Sequence, residues 1–137
     1  INIVSSGQPK STTMKNEILA KIGTWFYALV VGFFGVNHFL HAKDMGGMVP
    51  SAIPGGVIWV YITGVCLIAA TIAFIIGKFA RLAGILLAVL LLVFVFVIHL
   101  PNAGSSDPNL QMMGMAGVLK DSGLAGAAMV IAGYSKS

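Results

Sequence analysis

The chain has 137 residues, 58% of them hydrophobic and only 9% charged, with a net charge of +4 and a mean hydropathy of +0.96. Soluble domains average roughly 25% charged residues, and a chain this short has too little interior to hide so much apolar surface from water. A soluble globular domain is therefore excluded, and the sequence belongs in a bilayer.

Residues 1–17 are polar and read as a flexible cytoplasmic extension, with 18–137 as the transmembrane domain. The extension has no apolar stretch of its own and is not a cleavable signal peptide; Met14, followed by KNEILAKIG, reads as a plausible translation start. The first span, IGTWFYALVVGFFGVNHFL (Ile22 to Leu40), serves as an uncleaved signal anchor. AKDMGGMVPSAIPGG (Ala42 to Gly56), with two prolines and four glycines, predicts a loop. The second span is GGVIWVYITGVCLIAATIAFIIG (Gly55 to Gly77), whose lone Cys66 has no partner for a disulfide or a metal site and reads as apolar filler.

Lys78 to Arg81 is so short a connection that the second and third spans form an antiparallel hairpin. LAGILLAVLLLVFVFVIHL (Leu82 to Leu100), the most hydrophobic span, is expected to stop at Pro101. PNAGSSDPNLQ (Pro101 to Gln111) predicts a second turn-rich loop, and MMGMAGVLKDSGLAGAAMVIAGY (Met112 to Tyr134) is the fourth and weakest span. Each is close to the roughly 20 apolar residues that cross the hydrocarbon, whereas barrel strands would be about ten residues of alternating character. The fold class expected is all-α: an integral membrane four-helix up-down bundle. Small residues four apart (Ala80, Gly84 and Ala88; Ala28 and Gly32; Ser122 and Gly126; Gly123 and Ala127) mark its expected contact faces.

Lys10, Lys15, Lys21, Lys78, Arg81 and Lys136 fall on one side, and only Lys43 lies outside the spans on the other. The positive-inside bias then places both termini in the cytoplasm. The basic residues form no long patch, so no nucleic-acid partner is expected.

In that topology Asn37, His38, His41, His99, Lys120 and Asp121 all fall in the outer half of the bundle. Lys120, counted from Met115, lies roughly 7 Å below the outer boundary, a depth from which lysine can snorkel but aspartate hardly can. Lys120 and Asp121 are about 100° apart on a helix, so each is expected to meet neighbouring helices rather than the other. An unpaired aspartate among apolar neighbours would tend to take up a proton, so His38 or His99 is expected to satisfy it. Such a cluster reads either as a polar clamp between helices or as a site that orients a headgroup or a quinone oxygen. His41 and His99 also suit plain interfacial residues. His38-x-x-His41 supplies two ligands without a third, so no metal site is expected; a bis-histidine haem with His99 is the geometric alternative.

Taken in order, FFGVNHFL, VPSAIPGGVIWVYITGV, KFARLAGILLAVLLLVFVFVIHLP and GVLKDSGLAGAAMVIAG resemble the DoxX family of small four-helix bacterial membrane proteins, over about Thr24 to Gly133. One position departs from the pattern: where members often carry a glutamate after a Tyr-x-x-Gly, this chain has Leu67, leaving Asp121 as the only membrane-embedded acid. The resemblance implies a multi-pass protein of the bacterial inner membrane, surrounded by lipid and associated with other integral membrane subunits. The function it implies is an accessory subunit of a respiratory or quinone-linked complex with no catalytic activity of its own. The alternative is a stand-alone small-molecule carrier or membrane oxidoreductase component that uses the outer cluster. No haem-binding Cys-x-x-Cys-His, nucleotide motif or iron–sulfur cysteine set is present, so no intrinsic cofactor is expected, with quinone or lipid at the bundle surface.

Overall fold

The computed structural model describes residues 10–137. The expected N-terminal extension is only partly covered, residues 1–9 lying outside the described residues. From Lys10 onward it is not a loop: α1 runs unbroken over Lys10–Leu40. No Gly or Pro separates Lys10 from Ile22, and extending a nucleated helix adds a hydrogen bond for each residue fixed. At 31 residues it is roughly 46 Å long, so its first turns project beyond a hydrocarbon layer of about 30 Å.

The first connection is also more ordered than its glycines and prolines suggest. A short helix, α2 (Ala42–Gly46), buries Ala42, and the Trp59 indole N–H donates to the Pro54 carbonyl at 2.7 Å. Gly55 and Gly56, at φ 104° and 43°, turn the chain into α3 (Val57–Ile76) through conformations that a side chain would strain. Gly77 closes α3 in the left-handed conformation, and two residues on Phe79 adopts φ 58°, a genuine outlier for a bulky residue.

Pro101 does not end the third span. The helical segment Ala80–Ala103 is continuous, built from α4 (Ala80–Phe94), a π-helical turn (Val95–His99) and α5 (Leu100–Ala103). A proline in a regular helix lacks an N–H and clashes with the carbonyl four residues back. Here the Leu100 N–H reaches Val95 O, five residues back, and the widened turn lets Pro101 sit at the start of the next segment. α6 (Pro108–Tyr134) begins four residues before Met112. Asp107 caps it by accepting from the Asn109 N–H at 2.9 Å, and Pro108 occupies the first turn, where its missing donor costs nothing.

The long helices alternate in direction and pack most closely as two pairs, α1 with α3 and α4 with α6. Ala80, Gly84 and Ala88 are buried, and a Cβ on Gly84 would press against the Ala128 carbonyl. Ala28 is buried, and Gly32 faces Thr71. On α6 the expected contact faces are not the ones used. Gly123 and Gly126 face open space, while Gly114, Gly117, Asp121, Ala125, Ala128 and Ala132 are buried. Many large apolar side chains point outward, among them Phe26, Phe33 and Leu119 at 68%, 68% and 74% exposure. With four helices long and apolar enough to cross a bilayer, these faces meet lipid, and the chain is a multi-pass membrane protein.

Candidate functional site

Asp121 is the central residue of α6, with thirteen helical residues on either side. It is buried to 4% exposure within the stripe of small residues that faces α4, so its carboxylate meets the end of the opposing helix. His99 comes to it from the π-helical turn: Nε2 and Oδ2 stand 2.9 Å apart and share one proton. Two glycines make room. A Cβ on Gly117 would overlap the His99 imidazole, and a Cβ on Gly114 would overlap the backbone at Asn102 and Ala103. His99 is thus seated by helix geometry as well as by its hydrogen bond.

Lys120 does not turn away from its neighbour. Its ammonium lies 3.5 Å from the other Asp121 oxygen and 4.7 Å from the centre of the Phe34 ring on α1. A long, half-exposed side chain can bend back over a turn, which the 100° separation of the two Cα atoms does not reveal.

The remaining polar residues divide. Asn37 gives its amide to the Phe33 carbonyl on its own helix at 2.9 Å. His41 is exposed at the start of α2 with no side-chain cap bond. Neither joins the cluster, because a carbonyl one turn back competes locally or the chain leaves the bundle before reaching it. His38 lies between these cases: its Nδ1 is 2.7 Å from the Phe34 carbonyl, so Nδ1 carries the proton and Nε2 of the neutral ring is left as an acceptor.

His38, His99, Lys120 and Asp121 line one cavity of about 240 Å³, walled apart from them and Thr63 by apolar and aromatic side chains. Leu67, at the position where the family resemblance implies a glutamate, lines the same cavity and is buried. Three residues that sequence reasoning left out also belong here. Thr63 is buried at the wall and Trp59 lies near the first loop, while Tyr27 donates to the Leu124 carbonyl at 2.6 Å and ties α1 to α6 just below the site. Gly114-x-x-Gly117, opposite a histidine near a helix end, was the signal available for the His99 seat. Among the described residues no group of three or more His, Cys, Asp or Glu is placed to hold a metal ion.

No curated protein and no solved structure matches the chain. One family model does, over residues 27–119, a segment that includes Asn37, His38, His41 and His99 and ends one residue before Lys120. Because that match spans well over half of the 137 residues, the chain belongs to the family described as a domain of unknown function (DUF8561).

Proposed function

We propose that this protein is a ligand-binding accessory subunit of a respiratory or quinone-linked membrane complex, anchored in the bacterial inner membrane with both termini in the cytoplasm. The observation that carries the reading is an apolar cavity with all its ionisable groups at one place: His99, Asp121 and Lys120 on the α4–α6 side and His38 on α1. Ligand pockets are mostly apolar with a few convergent polar groups, and this one has both characters. A quinone suits it chemically. The Lys120 ammonium can donate to a quinone oxygen, Nε2 of His38 can accept from a hydroxyl, and the proton shared by His99 and Asp121 lies within the same walls. With Leu67 in place of an acid, Asp121 is the one carboxylate among the described residues that line this cavity. The resemblance to DoxX proteins supports the quinone link, and no intrinsic cofactor is required: the protein purified alone should show no haem band, and a bis-histidine spectrum lost in His99→Ala would overturn this.

The deciding experiment replaces Asp121 with Asn, which keeps the shape and removes the charge. A normally assembled host complex with lost quinone-dependent activity supports the proposal; lost assembly makes the cluster a structural clamp. Purification in mild detergent tests the subunit role, since a monodisperse homo-oligomer that binds ligand by itself would favour a stand-alone carrier. Topology is tested on a Cys66→Ala background with cysteines at Ser51 and Ser105: an impermeant reagent should label both from outside the inner membrane.

A further inference from the structure

A second concavity, which shares only Leu87 with the lining of the His–Asp cavity, lies between α3 and α4, which touch each other less than either touches its main partner. It is a groove of about 670 Å³ with almost purely apolar walls, lined by small residues of α3 (Cys66, Ala69, Ala73) and aliphatic residues of α4. One end differs. There Lys78 and Phe79, in the α3–α4 turn, border the groove. The C-terminal segment folds against the same turn: the Arg81 N–H donates to the Ser137 carbonyl at 2.8 Å, and the Ser137 hydroxyl is 3.5 Å from the Gly77 carbonyl. Lys78 is thus at the mouth itself, while Arg81 and Lys136, on the two segments that this contact joins, are exposed beside the same turn.

Among the described residues, neither ion pair involves any of the three. Of the four acids, Asp44 and Asp107 lie at the opposite end and Asp121 half-way along; only Glu17, on α1, shares this end. Three exposed cations thus share this end with one acidic side chain, at the level where headgroups lie, and Lys78 borders a slot with almost nothing to hydrogen-bond. Phe79 holds its left-handed backbone at this rim with its ring 70% exposed, a strained conformation of the kind found at ligand clamps.

We infer that this groove binds an anionic glycerophospholipid, its phosphate on Lys78, Arg81 and Lys136 and one acyl chain lying between α3 and α4. The chemistry selects this occupant. Basic pockets between helices near the membrane surface recognise anionic headgroups, whereas a partner helix in the groove would have to bring its own acid to the mouth. Zwitterionic lipid fills the slot equally well and brings the same phosphate, but its own headgroup cation competes with these side chains for that phosphate.

The test uses the detergent-purified full chain and its own Cys66, which lies in the groove ten residues, or roughly 15 Å, from the end of α3. Phosphatidylglycerol should slow alkylation of Cys66 by a small maleimide at lower concentrations than phosphatidylcholine does, with the difference shrinking as salt rises. Replacing Lys78, Arg81 and Lys136 together by Gln should weaken protection by phosphatidylglycerol roughly a hundredfold, to the phosphatidylcholine level. Ala73→Leu and, independently, Ala69→Leu should abolish protection by either lipid, while His99→Ala, outside the groove, should change nothing. Equal protection by the two lipids, an unchanged triple variant, or full protection by glycerol phosphate alone would overturn the proposal. So would cross-linking of Cys66 to a second protein in native membranes with no phospholipid retained.

Discussion

The two tight helix pairs of this bundle use the same device for different ends. In the α1–α3 seam Gly32 faces Thr71, Gly35 faces Leu67 and Ile68, and Gly64 faces Phe39. The Thr71 hydroxyl shares its proton between its own-helix Leu67 carbonyl, at 2.9 Å, and the Ala28 carbonyl of α1, at 3.2 Å. That hydroxyl is satisfied by backbone alone, and none of these contacts involves a charged side chain. In the α4–α6 seam Gly84 instead admits a backbone carbonyl, Gly114 and Gly117 admit a π-helical turn and an imidazole, and the polar partner is a carboxylate. Missing side chains therefore serve close approach in one seam and the seating of a reactive group in the other. Helix association in lipid has no hydrophobic drive, so both seams depend on such packing.

The comparison breaks most sharply at Gly114. A methyl group there meets backbone that cannot step aside, so Gly114→Ala should cost about 3 kcal/mol or more, read as loss of the folded species in detergent. Its counterpart Gly64→Ala meets the edge of a movable ring and should cost about 1–2 kcal/mol. Gly117→Ala comes next, at about 1–3 kcal/mol, and should carry a signature that Gly64→Ala lacks: His99 leaves Asp121, visible in the imidazole NMR resonances. If the two glycine variants lose stability alike and leave His99 in place, the distinction between the seams fails.

Removing the polar groups sharpens the contrast further. Hydrogen bonds between membrane helices average about 0.6 kcal/mol and reach about 1.7, so Asp121→Ala should fall near the top of that range and Thr71→Val near the mean in thermal unfolding. Equal costs would mean that the buried carboxylate is no more committed to its partner than a hydroxyl is. The smallest effect is expected on the outer face of α6, where Gly123→Ala and Gly126→Ala touch nothing and should stabilise by at most about 1 kcal/mol each through helix propensity.

How far these seams could be read from the sequence depended on the kind of signal. The four spans were plain because hydropathy accumulates over twenty residues. The contact between His99 and Asp121 could be anticipated because a lone charge in hydrocarbon is too costly to leave unpaired. Asn37 and His41 were drawn into the same expectation, and the structure removes them: a local carbonyl or a helix start decides their fate within one turn, at a scale that clustering by membrane depth does not resolve. Pro101 misled in the opposite way. A proline reads as a stop, yet here the helix absorbs it by widening the turn before it. Nothing in VFVIHLP marks that choice, because it depends on Gly114 and Gly117 on another helix.

That wide turn also sets a phase. The five residues Val95–His99 hold one more than a regular turn needs, so Asn102 and Ala103 meet α6 with an offset of about 100° from where the register of Ala80–Phe94 alone would aim them. Deleting Val95, Phe96 or Val97 would bring the whole segment into a single phase and swing Asn102 and His99 away from Gly114 and Gly117 together. The site is thus governed by a residue count as much as by residue identity. Loss of any one of those three codons is enough to disconnect the histidine from the aspartate while every side chain of the cavity is retained.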